Sequence, residues 1–186
     1  MQALPIQLTP AGAQDEDFLE ALYACTRADE VRLWGWDEAQ TQAFLAQQFM
    51  AQQMGYRHQF GAEHDRIVHF DGAAIGRLFV APVRDALQVV DIALLPAHRG
   101  RGIGTQLLRQ VLLAAAGQGK SLQLSVLRGN PAQHLYERLG FAVTSQDDLY
   151  LELTWGDAPL AALEAAGARA KALATPLSTG SCHATH

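Results

Sequence analysis

Glycine and arginine are concentrated in residues 98–105, directly after an apolar segment and before an amphipathic one. Gly100, Gly102 and Gly104 are spaced two apart, and Arg99 and Arg101 flank the first of them. Closely spaced glycines allow a tight turn with uncovered amide N–H groups, and the N-terminus of a helix favours an anion. With the arginines adding positive charge, this pattern predicts a loop that binds a pyrophosphate.

Two other phosphate-binding sequences do not fit the chain. A dinucleotide fingerprint counted from Gly100 and Gly102 would require a third glycine at the position of Thr105. A P-loop ending in Gly119-Lys120-Ser121 would require glycine at the position of Ala114. An ordinary strand-to-helix turn remains an alternative, but it explains one glycine rather than three with two arginines.

The segment Arg99-x-x-Gly102-x-Gly104 resembles the acyl-CoA pyrophosphate signature of the GNAT superfamily of N-acetyltransferases, Arg/Gln-x-x-Gly-x-Gly/Ala. A second segment, Asn130 to Phe141, resembles the Asn…Tyr-Glu-x-x-Gly-Phe helix of the same family. The two motifs follow the family's order over residues 87–141. The interval from Asn130 to Tyr136 is shorter by one residue than in many relatives, which weakens the expected contact of Asn130 with the cofactor.

The resemblance implies that acetyl-CoA is the co-substrate and that no metal is needed. It also implies that the strand before the loop splays, so that backbone groups of Ile92 to Leu94 pair with the pantetheine and the Leu94 N–H stabilises an oxyanion. The residues expected to bind acetyl-CoA are Ile92, Ala93, Leu94, Arg99, Gly100, Arg101, Gly102, Ile103, Gly104, Thr105, Asn130 and Tyr136.

Acetyl transfer to an amine requires a base, because an alkylammonium with a pKa of ~10.4 is protonated at neutral pH. Asp91, inside the apolar strand Leu87 to Leu95, is the predicted base, and its short side chain favours a water-mediated role. Glu63 and Asp85 are weaker candidates. In the alternative interpretation Asp91 faces solvent or pairs with Arg77 or Arg84.

Two further expectations concern the neighbourhood of this acid. Strict alternation places Val89, Asp91 and Ala93 on one face of the strand. The resemblance implies that Tyr136 is the general acid that protonates the departing thiolate, whereas a purely structural role would make it a core tyrosine.

The acceptor side is less clearly encoded. By the resemblance it is lined by the helix–helix junction and the adjoining strands, and an apolar or cation-binding wall is expected there. The predicted substrate-binding residues are Trp34, Trp36, Tyr56 and Phe79, with Arg57 and His69 nearby, although at least one of the two tryptophans is equally well explained as core. A small amine, antibiotic, amino acid, peptide N-terminus or lysine side chain all remain open.

Hydrophobic periodicity and turn residues predict the element order β-α-α-β-β-β-α-β-α-β-β. Together with the resemblance, this order indicates an α+β, three-layer fold: a mixed, mostly antiparallel sheet of about seven strands flanked by about four helices. Residues 1–155 are expected to form the acetyltransferase domain, and residues 156–186 an Ala-rich extension with a helix over 161–173. Cys182, His183 and His186 in this extension are not expected to bind a metal.

Composition narrows the class of protein. With 186 residues and 49% apolar residues the chain can form one well-buried core, and its net charge of −5 argues against nucleic-acid binding. It has no apolar run of the ~20 residues needed to span a membrane, and no signal peptide is recognisable, so a cytoplasmic location is expected.

Three functions therefore remain in view. The first is an N-acetyltransferase that forms a ternary complex of enzyme, acetyl-CoA and a primary amine acceptor. The second is a non-catalytic acyl-CoA-binding regulatory module on the same fold. The third is a relative that transfers a different acyl group or uses a hydroxyl acceptor. Because family members often dimerise, a homodimer is also compatible with the resemblance.

Overall fold

A computed structural model describes residues 4–32 and 34–156. The strands are β1 (Ile6–Pro10), β2 (Asp65–Phe70), β3 (Ala73–Val83), β4 (Ala86–Leu94), β5 (Ser121–Leu127), β6 (Ala142–Gln146) and β7 (Tyr150–Trp155). The helices are α1 (Glu16–Arg32), α2 (Glu38–Phe60), α3 (Ile103–Gly117) and α4 (Gln133–Arg138), with short 3₁₀ turns at Ala13–Asp15 and Pro96–His98. The predicted order of elements is confirmed. The extension predicted for residues 156–186 lies outside the described residues, apart from Gly156.

All seven strands belong to one sheet with the order β1-β2-β3-β4-β5-β7-β6. The central pair β4 and β5 runs parallel. The other neighbouring pairs within this sheet run antiparallel. The predicted mixed, mostly antiparallel sheet flanked by helices is therefore confirmed.

Two tight turns set the register of β2, β3 and β4. The first contains Asp71 and Gly72 with φ values of 50° and 80°, so both residues adopt the left-handed conformation of a type I′ hairpin. An Asp-Gly pair is typical of this kind of turn. The second turn contains Arg84 with φ of 51°, and no glycine in the sequence marks it.

Helix α3 packs on one face of the sheet through the stripe that its sequence predicts. Each residue of that stripe is at most 8% exposed: Ile103, Leu107, Leu108, Val111, Leu112 and Ala115. They form one core with inward residues of β4 and β5, and Tyr136 of α4 and Phe141 join the same core. This packing places the N-terminus of α3 beside the C-terminal end of β4.

Helices α1 and α2 cover the opposite face. Asp37 begins α2 as an N-cap: its side chain accepts a 2.8 Å hydrogen bond from the Gln40 N–H. The apolar spacing of the sequence predicts a helix from Asp37 to about Met54, and the helix continues to Phe60. The added turn packs against the sheet, since the Phe60 and Phe79 ring centroids are 6.1 Å apart.

No helix within residues 4–32 and 34–156 is long and apolar enough to cross a membrane.

Candidate active site

The two central strands separate halfway along the sheet. β4 and β5 are paired only over Ala86–Val89 and Ser121–Leu124. Beyond this point each strand keeps the partner on its other side, β3 for β4 and β7 for β5. The register between β3 and β4 shifts between Phe79 and Val80, which leaves Val90 as the extra residue of a β-bulge. The β5-facing edge of β4 is therefore open from Val90 to Leu94.

A cleft of about 480 Å³ lies at this open edge. Its walls are the end of β4, the glycine-rich loop, the first turns of α3, and α4 with the residues before it. The lining residues are Ile92, Leu94, Arg99, Gly100, Gly102, Gly104, Thr105, Leu108, Pro131, Ala132, Leu135 and Arg138. Seven of the predicted acetyl-CoA-binding residues are thus brought together here, from Ile92 to Thr105.

The glycine-rich loop has the geometry expected of an anion site. Gly100 and Gly102 have φ values of 70° and 83°, which side chains with a Cβ rarely adopt, and Gly102 is the N-cap of α3. The first intrahelical bond there runs from the Gln106 N–H to the Gly102 carbonyl. The N–H groups of residues 103–105 consequently precede the helical hydrogen-bond ladder, and they lie beside the cleft.

The arginines of this region differ in what they contact. The Arg99 Nε donates a 2.8 Å hydrogen bond to the Leu94 carbonyl, across the mouth of the loop. Arg101 points elsewhere, with its guanidinium carbon 5.2 Å from the centre of the Phe70 ring. Arg138, which the sequence analysis did not single out, lines the cleft from α4. Among the described residues, Arg99 and Arg138 are the cations that line the cleft, whereas Arg101 does not line it.

Backbone directions along β4 alternate past the bulge. The Leu95 N–H donates to the Ile75 carbonyl of β3 at 2.8 Å. Residues 92 and 94 therefore direct their N–H and C=O groups to the open edge, whereas Ala93 directs its groups to β3. This corrects the expectation for Ala93, and the bond from Arg99 leaves the Leu94 N–H rather than its carbonyl available in the cleft.

Two other predicted cofactor ligands have structural roles. Asn130 is 8% exposed, and its side-chain oxygen accepts a 2.9 Å hydrogen bond from the Ala132 N–H, just before α4. The side chain of Ile103 is 1% exposed and belongs to the core. Neither residue is among those that line the cleft.

Tyr136 lies on α4 and is 3% exposed. Its ring centre is 5.7 Å from that of Phe141, in an edge-to-face contact. Burial, and then the negative charge of Asp91, raise the pKa of the Tyr136 hydroxyl above its usual value. The phenol is therefore protonated at neutral pH and is a weaker acid than an exposed tyrosine, and Tyr136 is not among the residues that line the cleft.

Asp91 is 7% exposed and pairs with Arg77, whose Nη1 is 3.3 Å from Asp91 Oδ2. The Asp91 Oδ1 atom is buried and has no hydrogen-bond partner among the described residues. Burial raises the pKa of this carboxyl to about 6, against the opposing charge of Arg77. The structure thus contains the predicted pairing with Arg77 and also a carboxyl whose pKa suits a base at neutral pH.

The bulge also corrects the predicted faces of β4. Val89 packs with Ile92 and the α3 core, while Val90 packs with Tyr56 and Phe79 under α2. Asp91 faces the α1–α2 side as well, since a small cavity lined by Leu19, Leu22 and Thr26 of α1 includes it. Val89 and Asp91 are therefore on opposite faces, because the extra residue at position 90 breaks the alternation.

The aromatic residues predicted to bind the acceptor fall into two groups. Trp34 and Trp36 are each 45% exposed, and both rings are 5.3 Å from Phe44. Tyr56 and Phe79 are each 1% exposed and pack edge to face in the core under α2. Only the tryptophan pair has the exposure that an acceptor-binding wall requires.

The weaker base candidates lie outside the cleft. Asp85 is exposed and precedes the first residue of β4, so the strand's length separates it from the open edge at Leu94. Glu63 is exposed beside His64, with 3.5 Å between the carboxylate and the imidazole.

Sequence reasoning missed the part of the cleft that α4 supplies. Pro131, Ala132, Leu135 and Arg138 line it, and all four belong to the second motif that was recognised. The motif therefore carried the signal, but its spacing does not reveal which side chains of a one-and-a-half-turn helix face the cleft.

Residues 55–143 match the sequence model of the acetyltransferase (GNAT) domain. Over 63 residues the chain is 43% identical to the streptothricin acetyltransferase of Streptomyces lavendulae, a stretch that covers 33% of each chain. The match thus spans about a third of that curated relative.

Two solved structures share the fold across most of the chain. The PaiA N-acetyltransferase from Thermoplasma acidophilum, solved in complex with coenzyme A, superposes with a TM-score of 0.61 at 14% identity, covering 82% of this chain and 99% of that one. Arabidopsis thaliana Naa50, solved with the bisubstrate analogue CoA-Ac-MVNAL, gives 0.55 at 16% identity, with coverage of 82% and 99%. The sequence motifs and the split sheet with its glycine-rich loop agree with the match over residues 55–143, so this part of the chain is similar in sequence and fold to the acetyltransferase (GNAT) domain.

Proposed function

We propose that the protein is an acetyl-CoA-dependent N-acetyltransferase that transfers the acetyl group to a primary amine. The observation that carries this proposal is the cleft itself. An open strand edge that can hydrogen-bond an amide-rich chain leads directly to a positively charged helix N-terminus that suits a pyrophosphate. Few ligands other than a coenzyme A thioester combine a pantetheine amide chain with a pyrophosphate in this order.

The residues of the cleft fit acetyl-CoA at both ends. The N–H groups that open α3 and the guanidinium groups of Arg99 and Arg138 would bind the phosphates. Outward backbone groups of Ile92 would pair with the pantetheine as in an added strand, and the Leu94 N–H would remain for the thioester carbonyl. Leu108 and Leu135 supply apolar surface between them. Asn130 and Arg101 would take no direct part through their side chains.

The reaction joins the amine nitrogen to the acetyl carbonyl carbon and breaks the bond from that carbon to sulfur. Attack places negative charge on the carbonyl oxygen, and the Leu94 N–H at the open edge would donate a hydrogen bond to it. Starting from the ammonium form, the nitrogen loses two protons: one leaves through the base to solvent before attack, and the loss of the second is balanced by the proton that the departing sulfur gains. The net products are an N-acetylated amine and coenzyme A, and no other reactant is needed.

Asp91 and Tyr136 are the proposed base and acid. Asp91 faces α1 and α2 while its neighbour Ile92 lines the cleft, so the proton of the amine would reach Asp91 through water. Its pKa of about 6 leaves the carboxyl ionised at neutral pH and still able to take up a proton. Tyr136, whose pKa is raised, retains the proton that the thiolate requires.

The acceptor is proposed only as a class. A streptothricin acetyltransferase among the relatives supports a small amine, and the bisubstrate analogue bound to Naa50 supports a peptide. The exposed Trp34 and Trp36 would form an aromatic wall that attracts an ammonium group before its deprotonation.

The test is free-thiol release from acetyl-CoA with a panel of polyamines, amino acids, aminoglycosides, streptothricin-type antibiotics and peptides. Tyr136→Phe is the matched control, and acetyl-CoA binding is measured in parallel by calorimetry. Release with one acceptor class, lost in the variant, supports the proposal. Binding without release across the panel favours the regulatory module, and absence of binding contradicts the assignment of the cleft.

A further inference from the structure

Arg77 of β3 is the centre of a buried polar cluster that the predicted site did not include. It is 3% exposed, and its guanidinium lies 5.3 Å from the Tyr56 ring centre and 5.4 Å from that of Phe79. The guanidinium is thus flanked by Tyr56 of α2 and by Phe79, two residues further along β3. The cluster lies under α1 and α2, on the same side of the sheet as Asp91.

The hydrogen bonds of Arg77 are unequal. Asp65 of β2 receives two short bonds, 2.9 Å from Nε and 2.7 Å from Nη2, in a bidentate arrangement. Nη2 also donates to Gln53 Oε1 at 3.0 Å. Asp91 receives one bond, 3.3 Å from Nη1. Asp65 therefore sets the orientation of the guanidinium. In this orientation the Nη1–H group points toward β4, where Asp91 accepts it.

Charge in the cluster is not balanced. One guanidinium faces two carboxylates that are each 7% exposed, so full ionisation leaves an excess negative charge in a site shielded from water. Asp65 holds the guanidinium through two short bonds, whereas Asp91 has one long bond, and burial raises the pKa of the Asp91 carboxyl. The other charged or titratable groups acting on Asp91 are Arg27 of α1 and Tyr136 of α4; Gln52 and Gln53 of α2 are neutral.

Asp91 borders a space of the size of one water molecule. The cavity of about 10 Å³ is lined by polar Asp91, Arg77, Thr26 and Gln52, and by four apolar or aromatic residues. Oδ2 is held by Arg77, and Oδ1 has no hydrogen-bond partner within residues 4–32 and 34–156, so Oδ1 is the oxygen that can bind such a water.

We propose that Arg77 and Asp65 are positioning residues for Asp91: Asp65 fixes the guanidinium, and the guanidinium holds Oδ2, so that Oδ1 exchanges the proton with a buried water. This inference rests on the proposed acetyl transfer for its functional meaning. Its physical content, the coupling between the three charges, does not depend on activity.

Two substitutions should move the titration of Asp91 in opposite directions. Asp65→Asn removes an anion and releases Arg77 to bind Asp91 more closely, so the midpoint should fall by about one pH unit or more. Arg77→Gln removes the cation, so the midpoint should rise by a similar amount. The midpoint is read from the ¹³C resonance of the Asp91 carboxyl, identified by its loss in Asp91→Asn.

Kinetics then test the functional half of the inference. The acidic limb of the kcat/KM profile should follow the same two shifts. Arg77→Lys should restore the midpoint toward the wild-type value, because the charge returns, but not kcat, because an ammonium cannot hold both carboxylates in the same geometry. If Arg77 had only a structural role, its variants would lose stability, but Arg77→Lys would not separate a recovered titration midpoint from a lowered kcat.

Controls carry the same charge changes on the surface. Asp71→Asn and Arg84→Gln alter exposed residues of the two hairpin turns and should leave the Asp91 midpoint unchanged. Asp65→Asn preserves the shape of the side chain. If Arg77→Gln does not fold, the Asp91 titration midpoint in Asp65→Asn alone tests the inference. A midpoint that stays or rises in Asp65→Asn overturns the inference. If the titration shifts as expected but no acceptor is acetylated, the coupling stands and the proposed function fails.

Discussion

The Arg99 Nε donates a 2.8 Å hydrogen bond to the carbonyl oxygen of Leu94. The bond ties the glycine-rich loop to the last residue of β4, so the phosphate end and the strand edge of the cleft are held in fixed relation. It also occupies the Leu94 carbonyl and leaves the Leu94 N–H as the polar group directed into the cleft. Arg99 therefore has two effects on the cleft: its charge favours a phosphate there, and its contact with Leu94 fixes the loop relative to β4.

Arg99→Ala is expected to weaken acetyl-CoA binding by about tenfold to a hundredfold, because it removes a charged hydrogen bond and the tie to Leu94. Arg101→Ala is the matched comparison. It should weaken binding by less than about fivefold, since Arg101 stacks on Phe70 and contributes only screened, longer-range charge. Calorimetry with acetyl-CoA measures both. Equal losses in the two variants would contradict the different roles assigned to these arginines.

The glycines of the loop should respond differently to substitution. Gly102→Val should lower the free energy of unfolding by about 1–2 kcal/mol, because φ of 83° is unfavourable for a β-branched residue, and should weaken acetyl-CoA binding. Gly104 is helical without a positive φ, and a Cβ added there would lie 3.8 Å from Leu135 Cδ2, an ordinary contact. Gly104→Ala should therefore stabilise the free protein by about 0.5–1 kcal/mol while its methyl group weakens acetyl-CoA binding.

Gly117→Ala supplies the control for this pair, since residue 117 is exposed at the far end of α3. It should stabilise the protein to a similar extent without any change in acetyl-CoA affinity. Urea unfolding and calorimetry separate the two quantities. Unchanged affinity in both loop variants would remove the glycine-rich loop from the binding site.

Tyr136→Phe should lower kcat by about a hundredfold and leave the dissociation constant of acetyl-CoA within about twofold. The phenyl ring keeps its contact with Phe141, so the variant loses the proton donor and little else. Phe141→Leu is the opposite control: it disturbs the packing of the ring but retains the hydroxyl, and should act mainly on stability. A large loss of affinity in Tyr136→Phe would make the residue structural.

Asp91 should leave a signature in the pH dependence of stability. Its pKa is about 6 in the folded protein and ~3.9 in the unfolded chain, so the folded state binds the proton more tightly. Stability contributed by this protonation is fully present below about pH 4 and is lost as the pH rises through 6. Between pH 4 and 7 the wild type should therefore lose on the order of 2 kcal/mol more free energy of unfolding than Asp91→Asn does. If the free energies of unfolding of the wild type and Asp91→Asn changed in parallel with pH, the pKa of the Asp91 carboxyl would not be raised in the folded protein.

The elements of the fold were predictable because each is marked locally. Alternating apolar residues define the strands, Asp71-Gly72 defines a hairpin, and Asp37 caps a helix. The glycine-rich loop was equally visible, since its left-handed residues Gly100 and Gly102 are glycines.

What could not be predicted depends on contacts between distant segments. Nothing in the residues of β4 marks Val90 as a bulge, because the register shift arises from the pairing of β4 with β3. Without the bulge, the side of the sheet that Asp91 faces could not be predicted correctly. The bidentate pairing of Arg77 with Asp65 joins separate strands and has no local sequence signal. The burial of Tyr56 and Phe79, in contrast to the exposure of the tryptophans, likewise follows from the packing of the extended α2.

That contrast gives the sharpest prediction for the acceptor side. Trp34→Ala and Trp36→Ala should each raise the KM for the amine acceptor by about threefold to tenfold, because an exposed aromatic face that attracts an ammonium group is lost. The corresponding phenylalanine variants retain such a face and should change KM less. Affinity for acetyl-CoA should stay the same in all four, because neither tryptophan lines the cleft.

Phe79→Leu is the matched control from the buried pair. It should lower the free energy of unfolding by about 1–2 kcal/mol and leave the acceptor KM within about twofold, because Phe79 packs between Tyr56 and Phe60 in the core. Steady-state kinetics with the acceptor found by the amine panel measure KM, and urea unfolding measures stability. The opposite result would be a raised KM in Phe79→Leu and an unchanged KM in both tryptophan-to-alanine variants. The acceptor would then bind beside the aromatic residues under α2, and the tryptophans would only be a surface cluster packed on Phe44.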